Sequence, residues 1–131
     1  MKYLLDTGVL IQNLIAQPKL NRRALELLAD DSSELYFSAA SSWEITIKSG
    51  TGKLVLPERP SEFVIRAIRL MSLQALDITH GHVAALERLP NHHRDPFDRM
   101  LIAQAQTERL VLLTADHNFE RYSVETFWCG T

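Results

Sequence analysis

Short apolar runs alternate with segments of helical periodicity along this chain, and that alternation limits the folds it can adopt. Four runs have the length and composition of buried strands, at residues 3–5, 35–37, 76–78 and 110–113. Helical patterns occur at residues 9–15, 20–28, 61–73, 79–89 and 95–105, and from 39 to Gly50 or Gly52. Because strands separated by helices pair in parallel through right-handed crossovers, we predict a three-layer α/β/α sandwich with a mostly parallel sheet.

Length and composition narrow the class of protein further. With 131 residues and no internal repeat or linker, the chain fits one domain, residues 1–131. Its formal net charge of −2 gives no global field for nucleic acid, so any such binding must be local. A single cysteine, Cys129, excludes an internal disulfide and a thiolate zinc site. We find no signal-peptide core and no membrane span, so we expect a cytoplasmic protein.

Four acidic side chains fall where a parallel α/β fold builds an active site. Asp6 and Asp116 follow strand-like runs, at the sheet edge where ligands bind. Glu44 and Asp98 fall in the first turns of two predicted helices. Carboxylates that share a site oppose each other's ionisation, and a divalent cation removes that cost. Ligation by oxygen alone favours Mg²⁺ or Mn²⁺ over zinc, and such an ion can activate water and neutralise charge on a phosphate.

Each acid also has a purely structural explanation. Asp98 and Glu44 could stabilise helix N-termini, with Ser41 and Glu44 forming a capping box. Asp6 could begin a polar turn, and Asp116 could cap the turn after it. The conjunction of the four acids is therefore more informative than any one of them.

A fifth acid, Asp95, has a different character. It precedes Pro96, and an acid before a proline at the first helical position is typical of an N-cap. We therefore predict that Asp95 caps the helix that carries Asp98 and at most supports the site.

Several segments together resemble the PIN-domain proteins of the VapC toxin type. They are Leu5-Asp6-Thr7, the run from Ser38 to Ile45 with Lys48, Gly52-Lys53-Leu54, the run from His93 to Ala105, and Leu113-Thr114-Ala115-Asp116. The resemblance covers nearly the whole chain in order and spacing, and Arg-Asp-Pro-Phe-Asp-Arg at 94–99 is its most specific part. Gly8 departs from it, because many relatives carry His, Asn or Ser there.

The resemblance implies both a fold and an activity. It implies a five-stranded parallel sheet, a ribonuclease that uses Mg²⁺ or Mn²⁺, a homodimer, and inhibition by a small antitoxin from the same operon. Matched by position, the acidic quartet is Asp6, Glu44, Asp98 and Asp116, with Asp6 and Asp98 as direct ligands. Thr114 matches a hydroxyl that supports the site. The antitoxin groove and the dimer contact are expected near the strongly apolar segment 63–73, and packing in the core is the alternative for its single residues.

Basic residues near the acids are candidates for binding the RNA phosphates. Lys48 follows Glu44 by four residues, which predicts an ion pair on one helix face or a phosphate contact. Arg94 and Arg99 flank Asp98 and are candidates for phosphate contact, because a chain of negative charge needs local cations to hold RNA. Solvated surface is the alternative for all three.

Two other functions stay open on the sequence alone. A receiver-like signalling domain would also place acids and a Mg²⁺ ion at strand ends, although the segment after 110–113 has no Lys. A non-catalytic protein-binding module could use the same fold and its apolar helix. The five histidines lack helical i, i+4 spacing and are interpreted as loop residues rather than zinc ligands: His80, His82, His92, His93 and His117.

Overall fold

The computed structural model describes residues 1–15 and 19–131. Its strands are β1 (Lys2–Leu5), β2 (Glu34–Ser38), β3 (Gln74–Leu76), β4 (Val111–Thr114) and β5 (Thr126–Trp128). The helices of the described residues are α1 (Thr7–Leu14), α2 (Arg22–Ala29), α3 (Ala39–Gly50), α4 (Pro60–Leu70), α5 (His80–Leu86) and α6 (Pro96–Glu108), with a 3₁₀ helix at His117–Arg121. All five strands are parallel and lie in the order β3-β2-β1-β4-β5.

Alternation along the central strands builds a core on each face of the sheet. Leu4 and Leu112 pack with residues of α5 and α6 on one face. Leu5 and Leu113 pack on the other face with residues of α1 to α4. This arrangement confirms the three-layer α/β/α sandwich and the parallel sheet of about five strands. Among the described residues, no helix combines the length and apolar character needed to cross a membrane.

The strand order creates a crevice at the carboxyl ends of β1 and β4. The chain moves outward from β1 to β2 and β3, then returns to the other side of β1 for β4 and β5. Ligands bind in open α/β sheets where the winding direction reverses in this way. Leu5 pairs with Leu113, and the Asp6 N–H donates to the Leu113 carbonyl at 2.9 Å. Asp6 therefore lies at this reversal point.

Several boundaries differ from the sequence predictions. α4 ends at Leu70 rather than at 73, because Ser72 adopts a left-handed φ of 51° and the Leu73 N–H turns back to the Ile68 carbonyl at 3.0 Å. The polar turn predicted after Asp6 is instead the start of α1, which begins at Thr7. β5 was not predicted as a strand from its residues, because three half-buried positions carry too little pattern.

Candidate active site

Asp6 and Asp116 are joined through one hydroxyl. The Thr114 hydroxyl, at the end of β4, donates to Asp6 Oδ2 at 2.9 Å. The Thr114 hydroxyl oxygen in turn accepts a hydrogen bond from the Asp116 N–H at 3.0 Å. Thr114 is buried, so this arrangement fixes the backbone of one acid and the carboxylate of the other. Asp116 also caps the 3₁₀ helix by accepting the Asn118 N–H at 2.9 Å.

Glu44 lies in the second turn of α3, not in the first. The helix begins at Ala39, as predicted, and its N-cap Ser38 accepts the Ala40 N–H at 3.0 Å. The alternative explanation of Ser41 and Glu44 as a capping box therefore does not hold. Ser41 instead accepts a hydrogen bond from the Thr7 hydroxyl at 2.8 Å.

The side chain of Glu44 is buried, and its two oxygens differ in their surroundings. Lys48 Nζ donates to Glu44 Oε2 at 2.5 Å, which confirms the predicted ion pair. Glu44 Oε1 is buried and has no hydrogen-bond partner among the described residues. A buried carboxylate oxygen without a partner carries a desolvation cost that a ligand can relieve.

Asp98 is presented by the first turn of α6. Asp95 Oδ1 accepts the N–H groups of Phe97 at 2.9 Å and Asp98 at 3.0 Å, which confirms Asp95 as the N-cap. Pro96 occupies the first helical position, where its missing N–H costs nothing. The Asp98 carboxylate is thus held by a rigid helix start, with Oδ2 at 2.7 Å from His93 Nε2.

The four acids line one cleft of about 480 Å³. Its other lining residues include Thr7, Gly8, Gln12, Lys48, Lys53, Leu54, His93, Asp95 and Ala115. A Cβ added at Gly8 would meet no atom within 4 Å, so the departure from the resemblance leaves open space here. The structure therefore brings together two acids that follow β1 and β4 and two that lie on α3 and α6, across the stretch of sequence from Asp6 to Asp116.

Burial and mutual repulsion shift the acids toward their protonated forms. Burial, followed by the charge of Asp98, raises the pKa of Asp6 from 3.8 to about 7, against the hydrogen bond from Thr114. Burial raises the pKa of Asp98 to about 6, although His93 opposes the shift. The hydrogen bond to Glu44 raises the pKa of Lys48. The folded chain therefore holds negative charge here only at a cost, which a cation would remove.

The donor set fits a divalent cation. Three possible ligand atoms all lie within 4.8 Å of one another, and they belong to His93, Asp98 and Asp116. Asp6 and the unpartnered Glu44 Oε1 belong to the same cleft. Carboxylate oxygens are the ligands that Mg²⁺ and Mn²⁺ accept in proteins.

The predicted phosphate-binding residues fall in different places. Lys48 lines the cleft but is bonded to Glu44. Arg94 and Arg99 are not among the described residues that line the cleft. Arg94 is exposed, and Arg99 Nη1 donates to the Pro90 carbonyl at 2.9 Å and to the Tyr122 hydroxyl at 3.2 Å. Arg99 therefore anchors the loop before α6.

Two residues of the cleft, His93 and Lys53, had no role assigned from the residues themselves. Both stand in the segments that carry the family resemblance, which was the available signal. Lys53 is exposed and follows Gly52, whose φ of 77° turns the chain after α3.

The prediction that all five histidines lie in loops is wrong for those in helical segments. His82 is buried in α5, where its ring accepts the Thr79 N–H at 3.0 Å and lies 2.8 Å from Glu108 Oε2. His80 begins α5, and His117 begins the 3₁₀ helix. His93 does lie in a loop, between α5 and α6.

Comparison with known proteins gives one family and several similar folds. The model of the PIN domain family matches residues 3–125. The crystal structure of VapBC2 from Rickettsia felis, bound to a DNA fragment from its promoter, is 20% identical with a TM-score of 0.74, over 98% of this chain and 99% of that one. DNA-bound VapBC from Salmonella typhimurium is 20% identical with a TM-score of 0.68, over 97% of both chains.

A third structure is a toxin-antitoxin complex from Klebsiella pneumoniae, 19% identical with a TM-score of 0.59, over 88% of this chain and 87% of that one. Comparison with curated protein sequences gives no match. At these identities the solved structures show a shared fold.

Proposed function

The chain belongs to the PIN domain family, and from that membership we propose that it is a metal-dependent ribonuclease that acts as the toxin of a toxin–antitoxin pair. The observation that carries the proposal is the convergence of Asp6, Glu44, Asp98 and Asp116 in one cleft. The family match argues against the receiver-like alternative. The substrate class and the toxin role draw support from the resemblance at 94–99 and from the toxin-antitoxin complex with a similar fold.

In this proposal each of the four acids contributes to binding a cation. Asp98 and Asp116 offer carboxylates close enough to share one ion, and Thr114 orients the Asp6 carboxylate beside them. Glu44 contributes its unpartnered Oε1. A bound divalent ion supplies Lewis-acid activation of water and neutralises charge on the phosphate. Mg²⁺ and Mn²⁺ are the candidates.

The purified protein should cleave single-stranded RNA when Mg²⁺ or Mn²⁺ is present, and EDTA should stop the reaction. The physical reason is that the bound ion activates the water, and that the clustered acids ionise only at a cost in its absence. Gel analysis of a labelled RNA before and after adding excess metal to the EDTA sample measures the effect. Cleavage that persists in EDTA contradicts the proposal. Calorimetry that detects no divalent ion binding would favour the non-catalytic binding module.

Lys53 is proposed as a phosphate-binding residue because it is an exposed cation at the rim of the cleft. Lys53→Ala should weaken RNA binding by about three- to tenfold and lower the slope of log K against log salt by about 0.7. Fluorescence anisotropy in an Asp98→Asn background, which leaves the RNA uncut, measures both quantities. The matched control is Lys2→Ala, since Lys2 starts β1 at the opposite edge of the sheet. Equal effects of the two changes would contradict the assignment.

A groove on α4 is the proposed binding site of the antitoxin. It measures about 410 Å³ and is lined by Glu62, Ile65, Arg66, Arg69 and Leu70. Ile65 and Leu70 are 51% and 64% exposed, which is typical of helix faces that bind an apolar partner segment. Arg66 is engaged by Glu58 at 2.6 Å. The homodimer stays a prediction from the family resemblance.

A further inference from the structure

His93 occupies a fixed position beside the acids. Its backbone N–H donates to the Tyr122 hydroxyl at 2.8 Å. Tyr122 belongs to the core on the face of the sheet that α5 and α6 cover. Arg99 Nη1 donates to the same hydroxyl and to the Pro90 carbonyl. The loop is therefore bonded to Tyr122 directly at His93 and through Arg99 at Pro90. The His93 ring is 21% exposed and lines the cleft. The loop therefore presents an imidazole to the cleft on a supported backbone.

The distances around His93 suit shared coordination of one ion. Bonds of about 2.1 Å in an octahedral site place adjacent ligand atoms about 3.0 Å apart and opposite ones about 4.2 Å apart. His93 Nε2 and Asp98 Oδ2 are 2.7 Å apart, and the ligand atoms of His93, Asp98 and Asp116 all lie within 4.8 Å of one another. A small adjustment would let the nitrogen and both oxygens face one cation.

Resting on the proposed function, we propose that His93 is a direct metal ligand through Nε2, which makes this a mixed nitrogen and oxygen site that prefers Mn²⁺ to Mg²⁺. Mg²⁺ dehydrates reluctantly and is bound through carboxylates and water. Imidazole nitrogen suits transition metals rather than Mg²⁺, and among transition metals Mn²⁺ is the one that carboxylate oxygens also suit. In this proposal the site adds one nitrogen donor to the oxygen ligands that the four acids predicted.

Pulsed electron paramagnetic resonance of Mn²⁺ bound to the whole protein tests the ligand directly. With ¹⁵N-labelled histidine, we expect a nitrogen hyperfine coupling on the bound Mn²⁺. His93→Gln should remove that coupling and weaken Mn²⁺ binding by about tenfold or more, while Mg²⁺ binding changes by less than about threefold. Calorimetry at one fixed pH gives both affinities. The matched control is His92→Gln, because His92 is the neighbouring histidine and packs edge-on against Tyr122 at 5.3 Å.

The outcomes separate His93 from the proposed function. Bound Mn²⁺ without nitrogen coupling in the unmodified protein overturns the His93 ligand and means that the ring only orients Asp98. Coupling that survives in His93→Gln but disappears in His92→Gln overturns it too. RNA cleavage without nitrogen coupling leaves the ribonuclease standing, whereas coupling without cleavage leaves the metal ligand standing. A protein that binds no Mn²⁺ overturns the His93 ligand, and one that binds neither Mn²⁺ nor Mg²⁺ overturns the ribonuclease as well.

Discussion

Asp98→Asn should lower ribonuclease activity by about a thousandfold while leaving the fold intact. A metal ion contributes several kcal/mol to stabilising charge in phosphodiester hydrolysis, and about 1.4 kcal/mol corresponds to tenfold in rate. Asparagine keeps the shape of Asp98 and its place in the first turn of α6, but it removes the charge that holds the ion. Initial rates of RNA cleavage at saturating Mg²⁺ or Mn²⁺ measure the loss.

If the chain has the proposed toxin role, its expression alone should arrest growth, and the same substitution should abolish that arrest. Asp31→Asn is the matched control, because Asp31 is exposed and lies in the turn between α2 and β2. Thermal unfolding of the Asp98→Asn protein should show no loss of stability, since burial already raises the pKa of Asp98 to about 6. Equal cleavage by Asp98→Asn and the unchanged protein would identify a contaminating nuclease.

Asp6→Asn should stabilise the metal-free protein at pH 8. The pKa of Asp6 is about 7 in the folded chain against 3.8 as its ordinary value, so the folded state holds more protons between these limits. The free energy of unfolding therefore falls as the pH rises from 4 to 7. The difference between the two pKa values corresponds to a loss of at most about 4 kcal/mol in the free energy of unfolding. The Asp6→Asn protein avoids this loss. Its midpoint of thermal unfolding should therefore exceed that of the unchanged protein by roughly 5 to 10 °C.

Differential scanning calorimetry in EDTA between pH 4 and pH 8 measures this gain, which should vanish toward pH 4. Saturating Mn²⁺ should reverse the order at pH 8, because a ligand that binds only the folded state stabilises it by mass action. Asp31→Asn again provides the control, with no comparable gain at an exposed position. If the Asp6→Asn protein were less stable than the unchanged protein at pH 8 in EDTA, that result would contradict the electrostatic account of the site.

The sequence anticipated the parts of the site that depend on local structure. Asp95 is an N-cap because it precedes Pro96, and Lys48 meets Glu44 because residues four apart share a helix face. The placement of Asp6 and Asp116 at one edge followed from strands that end in parallel. Each of these inferences needs a few neighbouring residues and one regular element.

Helix starts were less predictable, because several polar residues compete for each cap. Ser38 and Ser41 both precede acceptable helical runs, and Ser38 is the cap because β2 extends to that residue. Ser41 then faces Thr7 from α1 across 34 positions. The capping-box alternative does not hold for that reason, and Glu44 lies one turn further into a helix whose start was correctly predicted.

The α/β alternation, the parallel sheet and the four acids can be inferred from the residues alone, because periodicity and strand ends are properties of short segments. Which side chains meet depends on the packing of the whole fold. Tyr122 positions His93 beside Asp98, and Thr114 joins Asp6 to Asp116, through contacts between elements distant in sequence. Packing of the helices on the sheet sets those contacts, and burial of the assembled carboxylates then produces the raised pKa values.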